Sequence, residues 1–404
     1  MRDTLRSLRH RNYRLYFLGQ FVSLAGTWMQ SLAQAWLIYR LTGSGLMLGL
    51  VGAMSMVPNL VFGLYGGVLA DRLPRQFLLK TAQLLGMSQA FVLATLTLSG
   101  WVEPWHILVL ALLLGFVQAF ELPARHSFLA QLVPRDDLTN AIALNAGMFH
   151  MARFVGPAIA GVLVAIAGEG WVFLINAISF VVAFATLTAI RLPAATEGGP
   201  HTTARGLRAG FDYVAHHPAV LGGLSMMAAI SLLASSATVL MPIFAAEIFN
   251  SGAESLGWLL GAVGGGALIG AIFLAGRRDI VGLERIIAFA GLGVGIVLFF
   301  FSLTTTLVIA LMILPIVGLC VTSVMISTNA FIQLSVEDAL RGRVMSLFSI
   351  AVHGMLPLGH LIAGATADAI GASRTVMIAA LILIVGAYFI GRPLRAEAAR
   401  RSGT

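Results

Sequence analysis

Charge is what this chain has least of. Only 10% of its 404 residues are Asp, Glu, Lys or Arg, against about a quarter in an ordinary soluble domain. So few charges cannot clothe a water-facing surface. With 58% of residues hydrophobic, lipid must be the solvent for most of the chain. Cysteine is nearly absent. Cys320 stands alone, so no internal disulfide can form, and its place in an apolar run reads as that of a small core residue. Phosphate-cradling loops are missing as well. The cluster Gly261, Gly264, Gly265, Gly266 and Gly270 lacks the Gly-Lys-Ser/Thr ending such a loop needs, and reads as close helix packing. No metal-ligand set and no nucleophile with its base stand out. These absences argue against an ATP-driven pump and against an enzyme, and imply neither cofactor nor metal. The formal net charge of +8 does not mark a nucleic-acid binder, because the arginines are scattered between apolar runs rather than gathered on one patch.

What is present is a series of apolar runs, each near the roughly 20 residues a helix needs to cross a bilayer. Spans are expected near 13–39, 45–70, 76–99, 105–125, 139–166, 171–190, 218–246, 254–276, 285–303, 307–330, 343–369 and 374–391. That makes an all-α membrane protein of twelve spans, with both termini on one side. The first run contains Ala33-Gln34-Ala35, which mimics a signal-peptide cleavage site. It is too long for one and is interrupted by Gln20 and Gln30, so it reads as a retained helix. One set of loops carries almost all the arginine, from Arg2, Arg6, Arg9 and Arg11 through Arg72, Arg75 and Lys80 to Arg392, Arg395, Arg400 and Arg401. The other set holds only Arg40 and Arg374. By the positive-inside rule the first set, and both termini with it, are expected in the cytoplasm.

The longest polar stretch divides the spans six and six. The expected organisation is a six-helix bundle over 1–191, a cytoplasmic linker over 192–217, a second bundle over 218–391 and a cytoplasmic tail over 392–404. The linker holds a short amphipathic piece from Leu207 to Val214. The halves also echo each other: Leu132-Val133-Pro134-Arg135-Asp136-Asp137-Leu138 precedes the fifth span, and Leu334-Ser335-Val336-Glu337-Asp338-Ala339-Leu340 precedes the eleventh. Weak similarity between two six-helix halves is what transporters built from parallel repeats show.

Between the second and third spans stands Gly67-Val68-Leu69-Ala70-Asp71-Arg72-Leu73-Pro74-Arg75. An acid followed by two arginines cannot stay in hydrocarbon, so this is a tight turn at a membrane face. The order resembles the loop signature of the major facilitator superfamily, matched at Gly67, Leu69, Ala70, Asp71, Arg72 and Arg75. Pro74 replaces the second glycine and Gln76 replaces a base. A narrower likeness runs through Arg11-Asn12-Tyr13-Arg14-Leu15-Tyr16, Gly26-Thr27-Trp28-Met29-Gln30, Pro123-Ala124-Arg125-His126-Ser127-Phe128, Asn140-Ala141-Ile142-Ala143-Leu144-Asn145 and Arg153-Phe154-Val155-Gly156-Pro157-Ala158. These resemble the bacterial branch that includes enterobactin and macrolide exporters, with Glu121 where members often have Asp. The resemblance implies a proton-driven exporter of a small amphipathic molecule, such as a drug, siderophore or secondary metabolite. It implies a monomer in the bacterial inner membrane, working by alternating access, whose partners are the lipid bilayer, the substrate and protons. In the family the aspartate matching Asp71 helps hold the two bundles together at the cytoplasmic side. The expected partner here is the start of the eleventh span with Arg341 and Arg343, since a helix N-terminus attracts a carboxylate.

Polar side chains inside apolar helices are costly and face either an aqueous cavity or a partner. In the first span Gln20, Ser23, Thr27, Gln30 and Gln34 fall on one helical face. They read as a cavity-lining stripe, with interhelical hydrogen bonding as the alternative; the length of the stripe favours the cavity. In the fourth span Gln118, Glu121 and Arg125 share a face, and Glu121 can carry a proton or pair structurally with Arg125. The fifth span carries His150 and Arg153 ahead of Gly156, Pro157 and Gly161, which resembles the antiporter signature Gly-Pro-x-x-x-Gly. Pro157 withholds a helical donor, and the glycines admit a neighbour. Arg153 is the most deeply placed base and needs a carboxylate, carbonyls or an anionic substrate. Glu121 is the carboxylate the sequence offers, so the two are expected to couple protonation to transport. In the eleventh span Ser346, Ser349, His353 and His360 fall on one face, and the histidines can exchange protons near neutral pH. Pro357 and Gly359 suggest a broken helix between them. Two other functions fit the same residues: an importer of an anionic or amphipathic metabolite, with Arg153 on the anion, and a non-transporting sensor or lipid-handling scaffold.

Overall fold

The computed structural model describes residues 5–192, 207–275 and 282–402, without the side chains of Leu64, Asp71, Ala339 and residues 207–209, 275 and 401–402. Among the described residues every regular element is a helix. The long ones are α1 (Arg11–Thr42), α2 (Gly45–Arg72), α3 (Arg75–Leu98), α4 (Pro104–Leu129), α5 (Arg135–Ala167) and α6 (Glu169–Ala189). After the short α7 (Leu207–His216) come α8 (Pro218–Ile248), α9 (Ala253–Ala275), α10 (Leu283–Ser302) and α11 (Leu307–Ser335). α12 joins Asp338–Ser349, Ile350–Gly354 and Met355–Ile370 end to end, and α13 covers Ala372–Ser402.

Of these, 11 are long and apolar enough to cross a membrane. α1, at 32 residues, is long enough but is kept below that apolarity by its glutamines and hydroxyls. With α1 the helices coincide with the twelve expected spans. α7 is the amphipathic piece expected near Leu207. α13 continues as helix to Ser402, through the stretch read as a tail. Most of the expected linker, 193–206, lies outside the described residues.

Helix ends show why the chain turns where it does. Gly43, at φ 62°, closes α1, and its N–H donates to the Tyr39 carbonyl at 2.7 Å. Gly168 and Gly371 each sit at φ 87° and end the fifth and eleventh spans in the same way. Only glycine adopts that conformation without strain. Inside α12 the backbone opens into a π turn over Ile350–Gly354. Pro357 comes just after it and cannot donate to the preceding turn, so a wider turn takes up the mismatch.

The described residues fall into two compact units. The first takes those within Met1–Gly43, Met54–His201 and Gly252–Gly261; the second takes those within Ser44–Ala53, Thr202–Ser251 and Ala262–Thr404. In the first, Tyr13, Tyr16, Leu79, Phe128, Ala141 and Leu187 are buried together, with the Tyr16 and Phe128 rings 5.9 Å apart. Ion pairs tie its helix ends. Asp137 accepts from Arg9 at 2.8 Å and lies 2.6 Å from His10 Nε2 and 3.1 Å from Arg6 Nε. Arg40 pairs with Glu169 at 2.9 Å.

In the second unit the first turns of α2 lie on α12. Asp368 accepts from Ser44 Oγ at 2.7 Å, Gly45 N at 2.5 Å and Leu46 N at 3.1 Å. It thereby satisfies donors that a helix start leaves open. The backbones below this cap touch. A Cβ on Gly364 would lie 2.3 Å from the Gly45 carbonyl oxygen. Overpacking of this kind costs about 1–3 kcal/mol, so Gly364→Val is expected to lower the thermal unfolding temperature of the purified protein. An unchanged transition would show that the seam has slack.

Candidate functional site

The polar stripe of α1 is spent inside the first unit. Ser23 Oγ donates to Gln83 Oε1 of α3 at 3.1 Å. Gln30 Nε2 donates to Gln89 Oε1 of α3 at 3.0 Å and its Oε1 accepts from Asn176 of α6 at 2.8 Å. Gln34 Nε2 donates to the Ile107 carbonyl of α4 at 3.2 Å. Thr27 bonds back to the Ser23 carbonyl within its own helix at 2.9 Å. Gln20, Ser23, Gln30 and Gln34 are all buried. The cavity-lining expectation is therefore corrected for Ser23, Gln30 and Gln34. α3 and α6 carry amides that match theirs, and a buried amide gains more from a partner than it loses by leaving water.

Glu121 stands at the end of the Ser23–Gln83 arm. It is 5% exposed. Its Oε1 accepts from Gln83 Nε2 at 3.1 Å and from Arg125 Nη2 at 2.5 Å. A hydrogen-bonded chain thus runs from Ser23 through Gln83 to Glu121 and Arg125. Breaking a buried ion pair on one side leaves the other charge uncompensated, at a cost of about 3–5 kcal/mol. Gln118 of the same face is half-buried.

Arg153 does not join that chain. The expected Glu121–Arg153 pair is absent among the described residues: Glu121 is taken by Arg125 one turn away. The Arg153 guanidinium instead lies over Trp28 of α1, with its carbon 5.5 Å from the ring centre. Gly156 and Gly161 bring helices close to α5, and the helix runs unbroken through Pro157. A Cβ on Gly156 would lie 2.8 Å from Trp28 Cβ, and one on Gly161 would lie 2.6 Å from the Ala253 carbonyl oxygen. Both glycines therefore serve as a packing seam. His150 is buried, and its Nδ1 has no hydrogen-bond partner.

In α12 the two histidines do not share an environment. His353 is exposed within the π turn, whereas His360 is buried against Gly52. The wide turn shifts the helical register between them, so the seven-residue spacing no longer puts them on one face. Ser346 bonds back to the Gly342 carbonyl at 3.0 Å and Ser349 is exposed. Around the loop after α2, Arg72 is exposed and Arg75 donates to the Ser127 carbonyl at 3.2 Å. Gly67 faces open space. Arg341 pairs with Asp338, and Arg343 packs against Gly210 of α7. The Asp71 side chain, Arg277 and Arg278 lie outside the described residues. A separate cavity of about 530 Å³ between α2, α3 and α4 is apolar and contains none of the charged candidates.

A family profile described as transmembrane secretion effector matches residues 3–400. The chain belongs to that family. It is accordingly a multi-pass membrane transporter of the major facilitator type, and not an enzyme. It is 25% identical over 390 residues to the staphyloferrin A transporter of Staphylococcus aureus, covering 95% of this chain and 97% of that one. It is 28% identical over 396 residues to the multidrug efflux pump Tap of Mycobacterium tuberculosis, covering 93% of each. The crystal structure of the nucleoside transporter NupG superposes with a TM-score of 0.71 at 16% identity, over 96% of this chain and 98% of that one. That likeness concerns the fold.

The partners that the first-span pattern did not reveal are Gln83, Gln89 and Asn176. Each is an isolated amide in an apolar span, and that was the available signal. Replacing Gln30 strands two of them, and each unsatisfied buried group costs about 1–3 kcal/mol. Gln30→Leu is expected to lower thermal stability while leaving the substrate profile unchanged. Altered substrate affinity at unchanged stability would restore the cavity reading.

Proposed function

We propose that this transporter exports small amphipathic molecules, such as drugs, siderophores or secondary metabolites, in exchange for protons. Glu121 carries the reading. It is a buried carboxylate whose hydrogen-bonded chain links α1, α3 and α4, so a change in its charge is felt by three spans at once. Protonation would weaken its hold on Arg125 and on Gln83, and that gives the helices two arrangements to choose between. Export is supported by the names of curated relatives, which include a multidrug efflux pump and a macrolide efflux protein. The chain would sit in the bacterial inner membrane with its arginine-rich loops in the cytoplasm. It would act as a monomer of two six-helix bundles that rock about the substrate, and the Asp71 loop would latch them on the cytoplasmic side.

Proton release from energised inverted vesicles on addition of an antibiotic, dye or siderophore panel tests this. Compound-dependent release is expected, and Glu121→Gln is expected to reduce it at least about tenfold, within the range that positioned acid–base groups contribute. Full pH-driven activity in Glu121→Gln would remove the carboxylate from the coupling step. Uptake in place of release would reverse the direction assigned.

A further inference from the structure

The two arginines of α4 and α5 are treated differently by the fold. Arg125 is ion-paired with Glu121. Arg153 is half-buried, and among the described residues no carboxylate pairs with it and no acceptor takes its N–H groups. Its contact is the Trp28 ring. A cation–π contact is a minor compensation for a charge taken out of water. It leaves the N–H donors of the guanidinium unspent.

The surroundings are built on the same α5 face. Asn145, Phe149 and Arg153 recur at four-residue steps, so their side chains stack one above another. Trp28 and Phe149 meet edge to face at 5.9 Å. The Asn145 Oδ1 and the buried His150 Nδ1 have no hydrogen-bond partner. Unspent donors, open amide and imidazole atoms and an aromatic corner therefore lie together in the first unit. Arginine is the side chain whose planar fork takes a carboxylate through two parallel N–H···O bonds.

We propose that Arg153 and Trp28 recognise a carboxylate carried on an aromatic or otherwise flat apolar body. The carboxylate meets the guanidinium edge, and the apolar body lies in the Trp28–Phe149 corner. Arg153 is then a specificity residue: it selects anionic amphiphiles over cationic ones of the same shape. This deepens the exporter reading and rests on it for the steps after binding, although recognition itself needs no turnover.

The test uses the purified full chain and two labelled probes with one ring system and opposite charge, indole-3-acetate and tryptamine, in equilibrium dialysis corrected for protein-free detergent. Indole-3-acetate is expected to bind saturably and at least about tenfold tighter than tryptamine. Arg153→Gln should abolish the preference, Arg153→Lys should keep part of it, and Trp28→Leu should weaken binding of the acid. Absence of binding by either probe, equal binding of both, or a preference that survives Arg153→Gln would overturn the proposal. Should Arg153→Gln not fold, Arg153→Lys decides, because a preference undiminished by loss of the fork is incompatible with it. The exporter reading fails separately: proton release without anion preference removes this site and keeps export, while anion preference without proton release does the reverse.

Discussion

A polar group in hydrocarbon has no water to turn to, and its ready source of compensation is a partner in the protein. That constraint explains α1. Five polar side chains on one face make it the least apolar of the spans, yet Gln20, Ser23, Gln30 and Gln34 are among the most buried polar residues of the molecule. The amides of α3 and α6 and a carbonyl of α4 meet Ser23, Gln30 and Gln34. A stripe that would be fatal on a lipid-facing helix thus fixes which helices pack on α1 and in what register. The Ser23 arm continues through Gln83 to Glu121, so the group proposed to carry a proton is wired into the packing of three helices.

The second device is close backbone approach. Small residues let helices touch where side chains would hold them apart. Gly364 against α2, and Gly156 and Gly161 on α5, have so little room that a single Cβ would collide with a neighbouring helix. Most charges are kept to helix ends, where Asp137, Glu169 and Asp368 each gather several donors or a basic partner. Of Arg125 and Arg153, the one over Trp28 is left without an ion pair among the described residues, and that gives it a meaning beyond structure.

Much of the fold was legible in the sequence. Apolar run lengths located the spans to within a few residues, because bilayer thickness fixes helix length regardless of tertiary detail. The amphipathic α7 obeys an equally local rule. The site was less legible. Periodicity placed Gln30 and its neighbours on one face but could not say what that face meets, since Gln89 and Asn176 are distant in sequence. Glu121 had two basic residues to choose from, and the helical i, i+4 geometry of Arg125 won over Arg153. The two histidines of the eleventh span were paired by counting residues on an ideal helix, and the π turn at Ile350–Gly354 broke the count.

Among the described residues the fold supplies a carboxylate for Arg125 and none for Arg153. Thermal unfolding of the purified, ligand-free protein compares the two directly. Arg125→Gln should lower stability markedly, because Glu121 is left buried and unpaired. Arg153→Gln should leave it unchanged or raised, because a half-buried charge is removed and no partner is stranded. A loss in Arg153→Gln as large as that in Arg125→Gln would contradict the account and make Arg153 a structural residue.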